Sequence, residues 1–175
     1  MNVKNRTSKI WGYVEIIVYR ILTIIFSIFG KELTTEQSLA FMQFIKFGII
    51  GVSNTVLSYL IYLGSLLLFR RYHIFISIDY YMAQFTAFLL SVLWSFYWNN
   101  KMVFTLEEGE HRHLWKALLK TYISYSFTGL FLNSLLLFLW VDTLHISEYF
   151  APVINLFISV PLNFMINKFW AFKTE

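Results

Sequence analysis

Long runs without charge dominate the chain after residue 44. Residues 47–69, 80–98, 121–141 and 150–166 contain no Asp, Glu, Lys or Arg. A helix that crosses a bilayer needs roughly 20 predominantly apolar residues at about 1.5 Å rise each, and each run predicts one. Residues 10–29 are comparable in length but carry Arg20 at the centre and Glu15 near the start. A central Arg costs about 2.5–3.5 kcal/mol on insertion scales. Arg20, Thr23, Ser27 and Lys31 fall on one helical stripe, and Trp11, Val14, Val18, Ile21, Ile25 and Ile28 oppose it. That pattern predicts an amphipathic helix lying in the membrane interface. The expected fold is therefore an all-α integral membrane protein: four transmembrane helices preceded by an N-terminal interfacial helix. The expected domains are 1–36, the N-terminal segment, and 37–175, the membrane domain.

Composition agrees. Hydrophobic residues make up 58% of the 175 and charged residues 14%, about half the charge that a soluble domain needs to cover its surface. No Cys is present, which excludes disulfides and thiolate metal sites. The formal charge of +4 does not indicate nucleic acid, because Lys and Arg cluster between apolar runs as topology signals do. Lys4, Arg6, Lys9, Lys31 and Lys46 precede the first run. Lys101, Arg112, Lys116 and Lys120 lie between the second and third, and Lys168 and Lys173 follow the fourth. The other two loops hold only Arg70 and Arg71, beside Asp79, Asp142 and Glu148. The positive-inside rule places both termini and the middle loop in the cytoplasm.

The sequence also repeats. Shifted by 68 residues, Ala83, Ser91, Val92, Phe96, Asn99 and Phe104 coincide with Ala151, Ser159, Val160, Phe164, Asn167 and Phe172. Asn54-Thr55 matches Asn133-Ser134 more loosely. The spans thus form two repeated helical hairpins, 41–105 and 113–173, both in one orientation and related by an axis along the membrane normal. Each even-numbered span carries a ladder at every fourth residue: Ala83, Ala87, Ser91, Ser95, Asn99, and Ala151, Asn155, Ser159, Asn163, Asn167. Small residues allow close helix approach, and Ser or Asn hydrogen-bond across the gap. An amide in lipid lacks partners, so the Asn residues are also candidates for lining a polar path. With 3.6 residues per turn the ladder drifts about 40° per step, so its two ends are not expected to share a face.

These residues resemble the GtrA-like family of small four-span membrane proteins over about residues 41–174. The resemblance rests on Phe44-Ile45-Lys46-Phe47, Gly51 and Asn54-Thr55. It rests further on the segment Ser95-Phe96-Tyr97-Trp98-Asn99-Asn100-Lys101-Met102-Val103-Phe104 and its echo from Asn163 to Phe172. It implies translocation of a polyprenyl-phosphate-linked sugar across a bacterial cytoplasmic membrane, for use by a separate membrane glycosyltransferase. The family usually has a basic pair after the Asn; here Asn100 takes the first place.

The residues favour transport over catalysis. All ten acids lie outside the four runs, and no glycine-rich phosphate loop exists, so no enzyme activity, metal or cofactor is expected. Lys46, Lys101, Lys120 and Lys168 fall at the cytoplasmic ends of the four spans, as lipid-phosphate ligands or as snorkelling cations. Asn99 with Lys101, and Asn167 with Lys168, are expected to form a duplicated clamp for the lipid phosphate. Asn54, Asn155 and Asn163 are expected to meet the sugar within the bilayer. A four-span bundle is narrow for a sugar head group, so a homo-oligomer or partner is expected. The competing reading is a non-transporting scaffold that recruits a glycosyltransferase through its small-residue faces.

Overall fold

The computed structural model describes residues 3–28, 30, 32–106, 108–147 and 150–174, with the side chains of 3–11, 14, 15 and 152 outside that description. Lys31, Glu107 and Glu148, and the side chains of Lys4, Arg6, Lys9, Trp11, Val14 and Glu15, therefore lie outside the described residues. Every regular element among the described residues is helical. Three helices are long and apolar enough to cross a membrane: Thr35–Arg71, Leu114–Thr143 and Val153–Ala171. A fourth apolar helix occupies Asp79–Trp98. The chain is a multi-pass membrane protein.

The chain divides into two compact units, Met1–Lys46 and Phe47–Glu175. In the first, α1 spans Val3–Ile28. Arg20, Thr23 and Ser27 are exposed, as the amphipathic pattern requires. Leu22 is buried, and Phe26 meets Phe41 edge-on at 6.3 Å. Ile21, Ile25 and Ile28, on the expected apolar side, are exposed. Helix α2, Thr35–Arg71, starts at a capping box. Thr34 Oγ1 accepts from the Gln37 amide N–H at 3.2 Å, while Gln37 Oε1 accepts from the Thr34 N–H at 3.1 Å. Two orphan donors are thereby satisfied reciprocally. The domain boundary expected at 36/37 falls within the first turn of this helix; the compact units part ten residues later.

In the second unit, α3 (Asp79–Trp98) continues without a break into a wider turn, Asn99–Val103. The third apolar run folds as α4 (Leu114–Ser126), a wide segment Phe127–Leu132, α5 (Asn133–Leu137) and a second wide segment Phe138–Thr143. Helix α6 (Ala151–Ile166) ends in another wide turn, Asn167–Ala171. In these turns the hydrogen bond reaches five residues back instead of four, the π-helical pattern. Phe104 N–H donates to Asn99 O and Phe172 N–H to Asn167 O, each at 2.8 Å. The two repeats therefore end in the same local structure, not only in the same letters.

Those ends meet. Phe104 and Phe172, equivalent under the 68-residue shift, stack at 4.7 Å. Phe96 stacks on Phe172 at 5.5 Å, and its repeat-mate Phe164 stacks on Phe104 at 5.9 Å. Exchanging the repeats turns one of these contacts into the other, the reciprocity that a two-fold axis imposes. Phe47 packs on Phe104 and Phe164 at 6.3 and 5.5 Å, so the start of the first run joins the ends of the second and fourth. At the opposite ends of α2 and α3, Arg70 Nε donates to Asp79 Oδ2 at 2.8 Å.

The ladders are buried nearly from end to end. Ala83, Ala87, Ser91, Ser95 and Asn99 are all buried, as are Ala151, Asn155, Ser159 and Asn167, with Asn163 half-buried. A row at i, i+4 is a ridge inclined about 26° to its helix axis. A neighbour crossing obliquely can cover such a ridge along its length.

Two outcomes follow. Phe104→Ala and Phe172→Ala should each destabilise the detergent-solubilised protein by on the order of 3 kcal/mol, and their double variant by less than the sum, in denaturant titrations. The hydrogen bond to Arg70 holds the Asp79 carboxyl below its ordinary range. That bridge supports the α2–α3 connection above the usual carboxylate pKa and is lost as pH falls through the lowered value. Amide exchange at residues 72–78 should rise in that window, and Arg70→Gln should abolish the dependence.

Candidate functional site

The buried asparagines converge on the third run. Asn99 and Asn167 are both completely buried. Asn99 Nδ2 donates to Ser95 Oγ at 3.1 Å, and Ser95 Oγ shares a 2.5 Å hydrogen bond with the Tyr125 hydroxyl. Asn167 Nδ2 donates to Ser124 Oγ at 3.0 Å and to the carbonyl oxygen and Oδ1 of Asn163 at 2.8 and 3.0 Å. Ser124 in turn donates to Asn163 Oδ1 at 2.9 Å. Consecutive residues of α4, Ser124 and Tyr125, thus receive the second repeat and the first. Thr121 and Thr128, both buried, donate to their own i−4 carbonyls at 2.8 and 2.9 Å, which satisfies a hydroxyl without a partner helix.

Asn155 lies away from this group and bonds to the third run at two points. Its Nδ2 donates to the Asn133 carbonyl at 3.1 Å, and its Oδ1 accepts from Trp140 Nε1 at 2.8 Å. Asn133 opens the regular helix α5 between two wide segments, and Asn155 adds a side-chain donor to its carbonyl from α6.

Two cavities share Asn54, Thr55, Tyr125 and Gly129. The larger, about 760 Å³, is lined by Asn54, Thr55, Thr128, Asn133, Ser159 and Asn163 beside Gly48, Gly51, Val52, Leu156 and Val160. The smaller, about 490 Å³, adds Ser58, Gln84 and Ser91. No charged residue lines either. Phe47 lines the larger cavity, so the aromatic cluster forms one of its ends. Among the described residues, five buried amide oxygens have no donor: Gln43 Oε1 in the N-terminal unit, and Asn54 Oδ1, Asn133 Oδ1, Asn99 Oδ1 and Asn167 Oδ1 in the second. The four asparagines form two pairs, Asn99 with Asn167 under the 68-residue shift and Asn54 with Asn133 in the looser match.

The cations lie outside this seam. Lys120 Nζ donates to the Trp170 carbonyl at 3.2 Å. Lys101 is exposed, with its Nζ 5.4 Å from both the Tyr97 and Trp98 rings. Lys168 is half-buried over Phe164 and Phe169. The duplicated clamp is uneven: Lys168 follows its Asn directly and Lys101 comes one residue later, a rotation of about 100° on a helix. Lys46 closes the N-terminal unit.

A family model described as GtrA/DPMS, transmembrane domain, matches residues 46–172. The chain belongs to that family. The match starts at Lys46, the residue before the second compact unit, and ends on Phe172 of the aromatic stack. GtrA/DPMS membership connects the chain with the handling of polyprenyl-phosphate sugars. No curated protein and no solved structure matches it.

Sequence reasoning passed over Ser124, Tyr125 and Arg112. A signal for the first was present: Ala117, Thr121, Ser124 and Thr128 fall at spacings of four, three and four, and all are buried. Tyr125 carries no such periodic mark.

Removing one hydroxyl from the seam should have a modest effect. Ser124→Ala should lower stability by about 1 kcal/mol, as interhelical hydrogen bonds in membranes do. Asn155→Leu should cost more, about 2 kcal/mol, because it removes two interhelical bonds and leaves the Trp140 indole N–H without its acceptor. Reversible unfolding in mixed micelles measures both.

Proposed function

We propose that the chain moves a polyprenyl-phosphate-linked sugar from the cytoplasmic to the outer leaflet of a bacterial cell membrane. Four spans, two per repeat, cross the bilayer with both termini and the α3–α4 loop on the cytoplasmic side. The product then serves a membrane glycosyltransferase that decorates a surface polysaccharide or teichoic acid.

The observation that carries this reading is the set of donorless asparagine oxygens in the second compact unit. A buried acceptor without a donor costs about 1–3 kcal/mol, and one such group calls for an explanation. Two of the four, on Asn54 and Asn133, belong to residues that line the uncharged larger cavity, and they suit a ligand rich in hydroxyl donors, which is a sugar. The larger cavity, about 760 Å³, falls in the usual range for small-molecule sites, about 300–1,000 Å³. The absence of acid from the seam fits movement down a substrate gradient. The scaffold reading relies on small-residue faces, and the α3 and α6 ladders are used up in the chain's own core.

Reconstitution tests it. Purified protein in liposomes should flip a short-chain polyprenyl-phosphate sugar, with an initial rate unchanged when the proton gradient is collapsed. Asn54→Leu and Asn133→Leu should each slow flipping about tenfold, equivalent to roughly 1.4 kcal/mol. No flipping by a folded protein would favour the scaffold. For topology, Cys placed at Thr174 should resist impermeant maleimide in intact cells, and Cys placed at Arg71 should react.

A further inference from the structure

The two repeats differ in charge at the point where they meet. Under the 68-residue shift, the residue after the buried Asn is Lys168 in the second repeat and neutral Asn100 in the first. Lys101 does not fill the gap, since it sits one position on and rests against Tyr97 and Trp98. The cation that reaches Asn100 comes from the loop instead. Arg112 Nη1 donates to Asn100 Oδ1 at 2.7 Å and to the Phe104 carbonyl at 2.9 Å.

The guanidinium carbon lies 5.2 Å from the centre of the Phe172 ring, and Lys168 Nζ lies 5.8 Å from that of Phe164. Phe164 and Phe172 both stack on Phe104. Arg112 and Lys168 therefore rest on one aromatic cluster, each bound to a different repeat.

Holding the loop to the helix end needs only Nη1. Arginine carries five N–H donors, and the edge formed by Nε and Nη2 grips a phosphate in bidentate fashion. Here Nε is buried and has no partner among the described residues. Partial burial draws the guanidinium's pKa below its ordinary value, with Glu110 acting the other way. Desolvation of this kind favours an anion at that edge.

We propose that Arg112, presented by Asn100, takes the place in the first repeat that Lys168 holds in the second, and that its Nε edge and the Lys168 ammonium bind the phosphate of the lipid-linked substrate. This assignment rests on the proposed function, in which the substrate carries a phosphate.

Binding of farnesyl phosphate to the purified full-length protein in detergent tests it, with farnesol and inorganic phosphate as separate arms. Arg112→Gln and Lys168→Gln should each weaken farnesyl phosphate binding about tenfold, as loss of one charge-assisted contact does. Farnesol binding should be unchanged. Inorganic phosphate should compete against the wild type and less well against Arg112→Gln. Adding Asn100→Lys to Arg112→Gln returns a cation to the repeat itself and should restore most of the affinity, a rescue that a purely structural latch does not produce.

Wild-type affinity in folded Arg112→Gln, or no recovery in the double variant, overturns the assignment and leaves the proposed function standing. If Arg112→Gln fails to fold, Arg112→Lys takes its place: weakened binding is expected, and wild-type binding overturns the assignment. A wild type that binds farnesyl phosphate no better than farnesol overturns the proposed function and the assignment together.

Discussion

The stack of Phe104 on Phe172 is the contact on which the second compact unit is organised. It joins two residues that are copies of each other, so whatever sets one in place sets the other. The flanking stacks, Phe96 on Phe172 and Phe164 on Phe104, repeat that logic one step out. Aromatic pairs of this kind contribute about 0.5–1.5 kcal/mol beyond the area they bury, and here three share one cluster. In a membrane, packing of this type replaces the hydrophobic drive that gathers soluble helices. The wide turns make the stack possible, because the five-residue hydrogen bond at Asn99 and Asn167 re-aims the chain just before each Phe.

A second constraint acts along the rest of the bundle: no water at bilayer depth can satisfy a stray polar group. The third run departs twice from regular helix, and Asn155 of α6 ties it down by donating to the Asn133 carbonyl and accepting from the Trp140 indole N–H. Ser95, Ser124 and Tyr125 absorb the amide N–H groups of Asn99 and Asn167. The amide N–H groups of the seam are used, while four asparagine oxygens are not; outside it, Trp98 Nε1 and Arg112 Nε are buried donors without a partner among the described residues. A seam short of donors is chemically selective. It suits hydroxyls and leaves charge to the cations at the end where α3 and α6 finish.

Much of this was legible in the residues. Charge-free runs located the apolar helices, and the 68-residue echo located the pair of Phe residues that stack. The four-residue spacing located the ladders, and nine of their ten residues are buried. Pairing Lys101 with Lys168 followed proximity in sequence, whereas the repeat shift sets Lys168 against Asn100, and only the folded loop brings Arg112 there. Ser124 and Tyr125 escaped because a hydroxyl within an apolar run has no distinctive spacing until its partner helix is known. The family match over 46–172 agrees with the part of the chain where the repeats were found.

The two-fold relation between the repeats is the central claim, and intramolecular cross-linking tests it most directly. No native Cys interferes. Phe96→Cys with Phe172→Cys, and Phe104→Cys with Phe164→Cys, replace rings whose centres lie 5.5 and 5.9 Å apart. A short bismaleimide should link both pairs within one chain and to a similar extent, read as a mobility shift of the monomer. Linkage of one pair without the other, or linkage only between chains, would contradict the account.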